Sequence, residues 1–264
     1  MTITAWLRWA IVEQLLPNQA RRVLDIGAGT GSIGSLLADR FEYVGIEPDK
    51  HSFDIATRRI GARGELLNCG FEDLEPEQDF DVVCALEVLE HIDDDDAAVT
   101  RWVRHLRPGG CLLISVPSDP GRYGQVNASV GDLRRYDPED LVRLFAGAAL
   151  GQIVVRAYGS PYANVQETIQ NVVSRGRRYE SPVCERTAKS GRHLQPPVSL
   201  ARVVHAVATP LERLQRPFSA RGIGTGLVAR GEFANRGPGR SQREGSADAL
   251  TRVPASFEFD DDAL

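Results

Sequence analysis

The chain is 264 residues long, 42% hydrophobic and 25% charged, the composition of a globular protein with room for one substantial core and an appendage. No apolar run approaches the length of a membrane span, and residues 1–10 lack the basic and apolar blocks of a secretory signal, so a cytoplasmic protein is expected. The net charge of −5 is unevenly divided: residues 1–120 hold 21 acidic and 11 basic side chains, residues 121–230 hold 8 and 16, which leaves attraction for anions to the second half.

In chain order, Ile3, Trp6, Leu7, Ala10, Ile11 and Leu15 recur at helical spacing and predict a leading helix within residues 1–22, ended by Pro17-Asn18. The apolar strand Val23-Leu24-Asp25-Ile26 then runs into Gly27, Gly29 and Gly31. Such a turn brings backbone against a polar, nucleoside-bearing ligand at the mouth of a helix, here predicted over Ser32 to Arg40. A second strand, Tyr43 to Ile46, delivers Glu47 at its carboxyl end, where a carboxylate accepts both hydroxyls of a ribose. Gly29-x-Gly31-x-x-Gly34 also satisfies the dinucleotide fingerprint, so the loop by itself leaves two ligand classes open.

Further strands are predicted near 64–68, 80–85, 110–116, 151–158 and 224–231, with helices between most of them, which implies an α/β protein whose mostly parallel sheet is covered on both faces. Cys69, Cys84 and Cys111 fall on or beside these strands as small hydrophobes, and with Cys184 they show no paired metal spacing. The core spans 23–159 and 223–234. Between its parts lies an insertion, 160–222, with a basic, turn-rich middle from Arg175 to Arg192. Its Ser199 to Gln215 stretch predicts a helix with Leu200, Val203, Val204, Val207, Leu211 and Leu214 on one side. That helix could cap the site, lie peripherally on an anionic membrane or pack on its own core. Residues 235–264 turn to Gly, Pro, Arg and Ser and are expected to be a disordered tail.

The pattern Asp25-x-Gly27-x-Gly29-x-Gly31 resembles the first motif of the class I, Rossmann-like S-adenosyl-L-methionine-dependent methyltransferases. Phe80 to Ala85, Leu86 to Ile92, and Leu106-Arg107-Pro108-Gly109-Gly110 leading into Cys111 to Pro117 resemble that family's fourth strand, the loop after it and the passage into its fifth strand, in the same order. The resemblance implies a seven-stranded sheet and methyl transfer from S-adenosyl-L-methionine, most simply to an oxygen of a small-molecule, glycan-type or secondary-metabolite acceptor. It also implies that Asp25, Gly27, Gly29 and Gly31 hold the methionine part of the cofactor, Glu47 the ribose, Leu86 and Glu87 its reactive surroundings, and that Phe71 lies beside adenine. Many relatives carry an Asp where Gly70 stands here, which leaves Glu72 and Asp73 as substitutes for it.

In Glu87-x-x-Glu90-His91, two carboxylates and an imidazole can converge on a cation. The set resembles the metal-binding residues of ubiquinone-biosynthesis O-methyltransferases and of small-RNA 2′-O-methyltransferases. The run E-V-L-E-H-I also occurs in relatives without metal dependence, and no metal is expected here. The RNA enzymes use a later histidine that Gly131 to Tyr136 lacks, and no RNA-binding module accompanies the motifs, so a nucleic-acid acceptor is not expected. Gly131-Asp132-Leu133-Arg134-Arg135-Tyr136 resembles a segment after the fifth strand, often G-H-x-R-R-Y, in methyltransferases of glycan and secondary-metabolite pathways. Asp132 stands where many have His. His91, Asp132 and Tyr136 are therefore the catalytic candidates, and Arg134 and Arg135 candidates for holding an anionic acceptor. Two rival readings remain: an RNA 2′-O-methyltransferase, favoured by the basic insertion and the Glu-Glu-His set but opposed by the missing later histidine, and a non-catalytic binding protein of the same fold, disfavoured by the presence of the glycines, Asp25 and Glu47.

Overall fold

A computed structural model describes residues 1–75, 79–124, 127–128, 131–173, 201–219 and 221–234. The tail expected over 235–264 and the basic middle of the insertion lie outside these residues. Seven strands form one sheet: β1 (Arg22–Ile26), β2 (Glu42–Ile46), β3 (Gly64–Leu67), β4 (Phe80–Leu86), β5 (Leu106–Pro117), β6 (Leu150–Tyr158) and β7 (Gly226–Phe233). The order is β3-β2-β1-β4-β5-β7-β6. β1 to β5 pair in parallel, and β7 runs antiparallel between β5 and β6. This is the mixed, seven-stranded α/β architecture that the motifs imply. Among the described residues no helix is long and apolar enough to cross a membrane.

Both faces of the sheet are covered, so its central strands read as near-continuous apolar runs. Helices α1 (Ile3–Leu15), α2 (Gly34–Ala38) and α3 (Lys50–Ile60) pack Trp9, Val12, Leu37, Ala56 and Ile60 against Val23, Val82, Cys84 and Leu113. On the other face α4 (Asp95–Val103) and α5 (Pro138–Gly147) bring Val99, Trp102, Leu141 and Phe145 to Leu24, Val83, Leu112 and Ile114. α5 begins with a capping box in which the Asp137 and Asp140 side chains each accept from the other's backbone N–H.

The insertion contributes α6 (Tyr162–Val173) and α7 (Ala201–Ser219). Leu214, expected on the buried side of the second helix, is 49% exposed. Its neighbour Gln215 is buried instead: its Oε1 accepts from Gly159 N–H and its Nε2 donates to the Leu7 carbonyl, both at 3.1 Å. One polar side chain thus ties α7 to the end of β6 and to α1, and its two backbone partners make that burial affordable.

Candidate active site

The carboxyl ends of β1, β2 and β4 meet at the glycine turn. Gly27 N–H and Ala28 N–H donate to the Ile46 carbonyl at 3.0 and 2.9 Å, which closes the turn against the end of β2. Gly27 adopts φ 73°, and a Cβ there would lie 2.6 Å from Val88 Cγ2, so the residue after Glu87 can approach only a glycine. Glu47, buried at the end of β2, accepts from Gly29 N–H at 2.8 Å and from Asp49 N–H at 2.9 Å. Burial raises its carboxyl above the ordinary range, and the two backbone donors oppose that shift.

Asp25 lies beneath the turn, 3% exposed, and accepts a 2.8 Å hydrogen bond from the Tyr43 hydroxyl. Beside β3, Phe71 packs edge-on against Trp102 with ring centroids 5.8 Å apart. Gly70 N–H donates to Asp73 Oδ2 at 3.2 Å, and Glu72 Oε2 lies 2.6 Å from the point where a Cβ on Gly70 would stand. A carboxylate from the next turn therefore stands where a side chain on residue 70 would begin.

Leu86 ends β4 in the core, and Glu87 turns out of it in a left-handed conformation, φ 59°. Its Oε1 accepts from Ser115 Oγ and from the Tyr158 hydroxyl, each at 2.9 Å, and lies 3.3 Å from Arg8 Nη1. These partners come from β5, β6 and α1, and nothing in the local sequence signals them.

Glu90, His91 and Asp132 form a second cluster. His91 Nδ1 stands 3.1 Å from the Gly131 carbonyl and 3.7 Å from Asp132 Oδ1. A carbonyl only accepts, so Nδ1 carries the proton and Nε2 keeps the lone pair. Asn127 Nδ2 donates to Asp132 Oδ2 at 2.6 Å, and the Tyr123 hydroxyl donates to the Asp132 carbonyl at 2.7 Å. Burial pushes the Asp132 carboxyl up, against the pull of Asn127 and His91. Glu90 is 2% exposed, and among the described residues its Oε2 has no hydrogen-bond partner. Burial first, then the charges of Glu87 and Asp132, push it well above the ordinary carboxylate range.

One ligand atom from each of Glu90, His91 and Asp132 lies within 4.8 Å of the others, so these three could hold a metal ion. Glu87, which opens the sequence motif, stands outside the group because Ser115, Tyr158 and Arg8 draw it away.

Three sequence candidates are placed differently from expectation. Tyr136 is 2% exposed and its hydroxyl donates to Asp95 Oδ2 at 3.1 Å. Burial, then Asp95, raises its phenol far above the usual range, so it is a core residue held as a donor and no base. Arg134 pairs with Asp95 at 2.9 Å and donates to the Asp93 carbonyl at 2.7 Å. Arg135 pairs with Glu167 and donates to the Ser118 carbonyl at 2.7 Å. Their charges join the 131–136 segment to α4 and α6, while the other arginines that suggest an anionic acceptor, within 175–192, lie outside the described residues.

A parallel-sheet core with a glycine turn at β1, an acid at the end of β2 and a polar cluster after β4 and β5 defines a class I methyltransferase. A methyltransferase-domain family model matches residues 24–112. A probable S-adenosylmethionine-dependent methyltransferase of Mycolicibacterium smegmatis is 30% identical over 58% of this chain and 67% of its own. The ubiquinone biosynthesis O-methyltransferase of Rickettsia prowazekii is 33% identical over 40% of this chain, and the match spans 45% of that enzyme. The chain thus spans less than half the length of the ubiquinone-biosynthesis relatives it matches. In fold it is similar to a Thermotoga maritima S-adenosylmethionine-dependent methyltransferase, described as a possible histamine N-methyltransferase, with a TM-score of 0.54, 20% identity and coverage of 87% and 89% of the two chains. The chain belongs to the S-adenosylmethionine-dependent methyltransferase family.

Proposed function

We propose that the protein transfers the methyl group of S-adenosylmethionine to a hydroxyl oxygen of a small, uncharged acceptor such as a glycan-type or secondary metabolite, with His91 as the base. Asp25, Gly27, Gly29, Gly31, Glu47, Phe71, Leu86 and Glu87 make up the cofactor side of this reading, with Glu72 in the place of the missing adenine-side aspartate.

The observation that carries it is the tautomer of His91. With Nδ1–H directed at the Gly131 carbonyl at 3.1 Å and Asp132 behind it, Nε2 is left as a proton acceptor, and Asp132 stabilises the imidazolium that forms. The acceptor oxygen attacks the methyl carbon, the carbon–sulfur bond breaks toward sulfur, and the hydroxyl proton passes to Nε2. The sulfonium supplies its own leaving group, so alignment and one proton transfer complete the chemistry. The names of the ubiquinone-biosynthesis relatives support oxygen as the methylated atom.

Methyl-labelled S-adenosylmethionine offered with a panel of phenols, free sugars, sugar phosphates and amines tests the reading. Label is expected in a neutral hydroxylated acceptor, and His91→Gln should lower turnover by roughly 10²- to 10⁴-fold with S-adenosylhomocysteine binding unchanged. Labelling of amines alone, or full turnover by the variant, would overturn it.

A further inference from the structure

Glu87 is held in an unusual way. A non-glycine residue at φ 59° is uncommon and persists where its surroundings impose it. Its backbone N–H donates to the Ser115 carbonyl at 2.9 Å, and its Oε1 takes the Ser115 hydroxyl, the Tyr158 hydroxyl and the Arg8 guanidinium. Ser115 is 0% exposed and Tyr158 3%, so two of the three groups are fixed by the core. Among the described residues no donor reaches Oε2, and the Glu87 side chain is 32% exposed. One oxygen is saturated and the other is presented in a set direction.

The residue itself lies at the edge of the glycine turn. Ile26 of β1 pairs with Ala85 of β4, and Val88 is in contact range of Gly27, so Glu87 stands beside the first glycine. Along the sheet, Glu47 at the end of β2 marks the ribose side of the cofactor, and β3 lies beyond it. The amino-acid end must then lie over β1 and β4. That end carries one donor group, the α-ammonium, and one group that only accepts, the carboxylate. An oriented, unpartnered carboxylate oxygen selects the ammonium.

We propose that Glu87 Oε2 binds the α-ammonium of the cofactor and that Arg8 is a positioning residue, which reaches from the leading helix to hold Oε1 and so aims Oε2. The inference rests on the S-adenosylmethionine reading. It gives α1 a part in cofactor recognition: withdrawal of the helix would remove one of the three groups that aim the carboxylate.

Calorimetry with two probes tests it. S-adenosylhomocysteine carries the amino-acid end, whereas 5′-methylthioadenosine keeps the adenosine and the thioether without it. Glu87→Gln and Arg8→Met should each weaken S-adenosylhomocysteine roughly 10- to 100-fold, the worth of a charge-assisted hydrogen bond, and leave 5′-methylthioadenosine unchanged. Arg8→Lys should recover part of the loss. The double variant should bind S-adenosylhomocysteine no worse than Glu87→Gln alone, because Arg8 acts through Glu87.

Equal losses for both probes would mean that the network supports only the fold. A loss in Arg8→Met without one in Glu87→Gln would mean that Arg8 meets the cofactor directly. Either result, or no loss at all, overturns the proposal. If the wild-type protein binds neither probe, the cofactor reading itself falls, and the proposal with it.

Discussion

The Tyr43 hydroxyl donates to the Asp25 carboxylate at 2.8 Å, and both residues are buried. The phenol reaches Asp25 through a slot between two glycines: a Cβ on Gly45 would stand 2.5 Å from the hydroxyl, and one on Gly34 would collide with it. Gly34, which completes a dinucleotide fingerprint in the sequence, therefore has a packing reason to be glycine that involves no ligand. The pair also sets the charge under the cofactor turn. Burial raises Asp25 to about 7, the Tyr43 hydrogen bond opposes that rise, and Glu47 adds to it.

This shift predicts a pH dependence. Unfolded, Asp25 titrates near the ordinary value of about 3.9; folded, it titrates at about 7. Between those values the folded state holds the extra proton, so the contribution of Asp25 to stability is fully present below about pH 4 and is lost as pH rises through 7. Asp25→Asn has no such titration. Thermal unfolding of both proteins from pH 4 to 8 should show wild type losing ground steadily against the variant, with the difference levelling above pH 7. Parallel curves would mean that folding leaves the titration of Asp25 where it is in the unfolded chain.

A second prediction concerns Glu47, whose two oxygens already receive Gly29 N–H and Asp49 N–H. It shapes the glycine turn as well as being the residue proposed to meet the ribose, so truncation and neutralisation should differ. Glu47→Ala should weaken S-adenosylhomocysteine by about 2 kcal/mol or more, from lost charge-assisted bonds and a loosened turn. Glu47→Gln keeps one oxygen as an acceptor and should lose less. Equal affinities for wild type and Glu47→Ala by calorimetry would remove Glu47 from the site.

A third prediction follows from the arginines. Glu167 of α6 lies against Arg135 and is 2.9 Å from Arg122, with its side chain 12% exposed. Arg135→Ala would leave a largely buried carboxylate with one cation in place of two. The expected cost is on the order of 2 to 4 kcal/mol of stability, toward the lower end for a broken buried pair because Arg122 remains. Affinity for S-adenosylhomocysteine should stay unchanged. Denaturant titration beside calorimetry separates these effects, and an unaltered midpoint together with weaker acceptor binding would restore Arg135 as an acceptor residue.

How legible the molecule was depends on the range of the interactions involved. The runs Val23 to Ile26, Phe80 to Ala85 and Cys111 to Val116 declare buried strands by themselves, whereas the order of the sheet and the antiparallel β7 emerge only in the fold. Helix α2 is shorter than its apolar spacing suggests, Gly34–Ala38 against 32–40, because the glycine turn extends into it. The side assigned to Leu214 fails because a polar residue, Gln215, takes the buried position by bonding two distant backbone groups. Arg134 and Arg135 read as free cations since Asp95 and Glu167, which pair with them, lie far away in sequence. Arg8, Ser115 and Tyr158 were invisible for the same reason: only folding brings them to Glu87. Local pattern picked out the glycine turn and missed the distant partners that hold Glu87.

The last prediction concerns metal. The motif Glu87-x-x-Glu90-His91 suggests a cation site by spacing, yet Glu87 is committed to Ser115, Tyr158 and Arg8. The remaining cluster, Glu90, His91 and Asp132, has the required proximity, but its burial favours the protonated acid at Glu90 over a ligating carboxylate. Burial and its acidic neighbours hold Glu90 well above the ordinary carboxylate range, and a protonated acid is a poor ligand. His91 directs Nδ1–H at the Gly131 carbonyl. Any proton on Glu90 would have to leave before a metal binds, a cost that the upward shift increases and that lowers metal affinity as pH falls. The melting temperature of chelator-treated protein at pH 7 should therefore stay the same when Mg²⁺, Mn²⁺ or Zn²⁺ is added, with or without S-adenosylhomocysteine, since a ligand that binds the folded state would raise it. A rise that Glu90→Gln and Asp132→Asn both abolish would establish a cation at this cluster, and His91 would then be a ligand instead of the base.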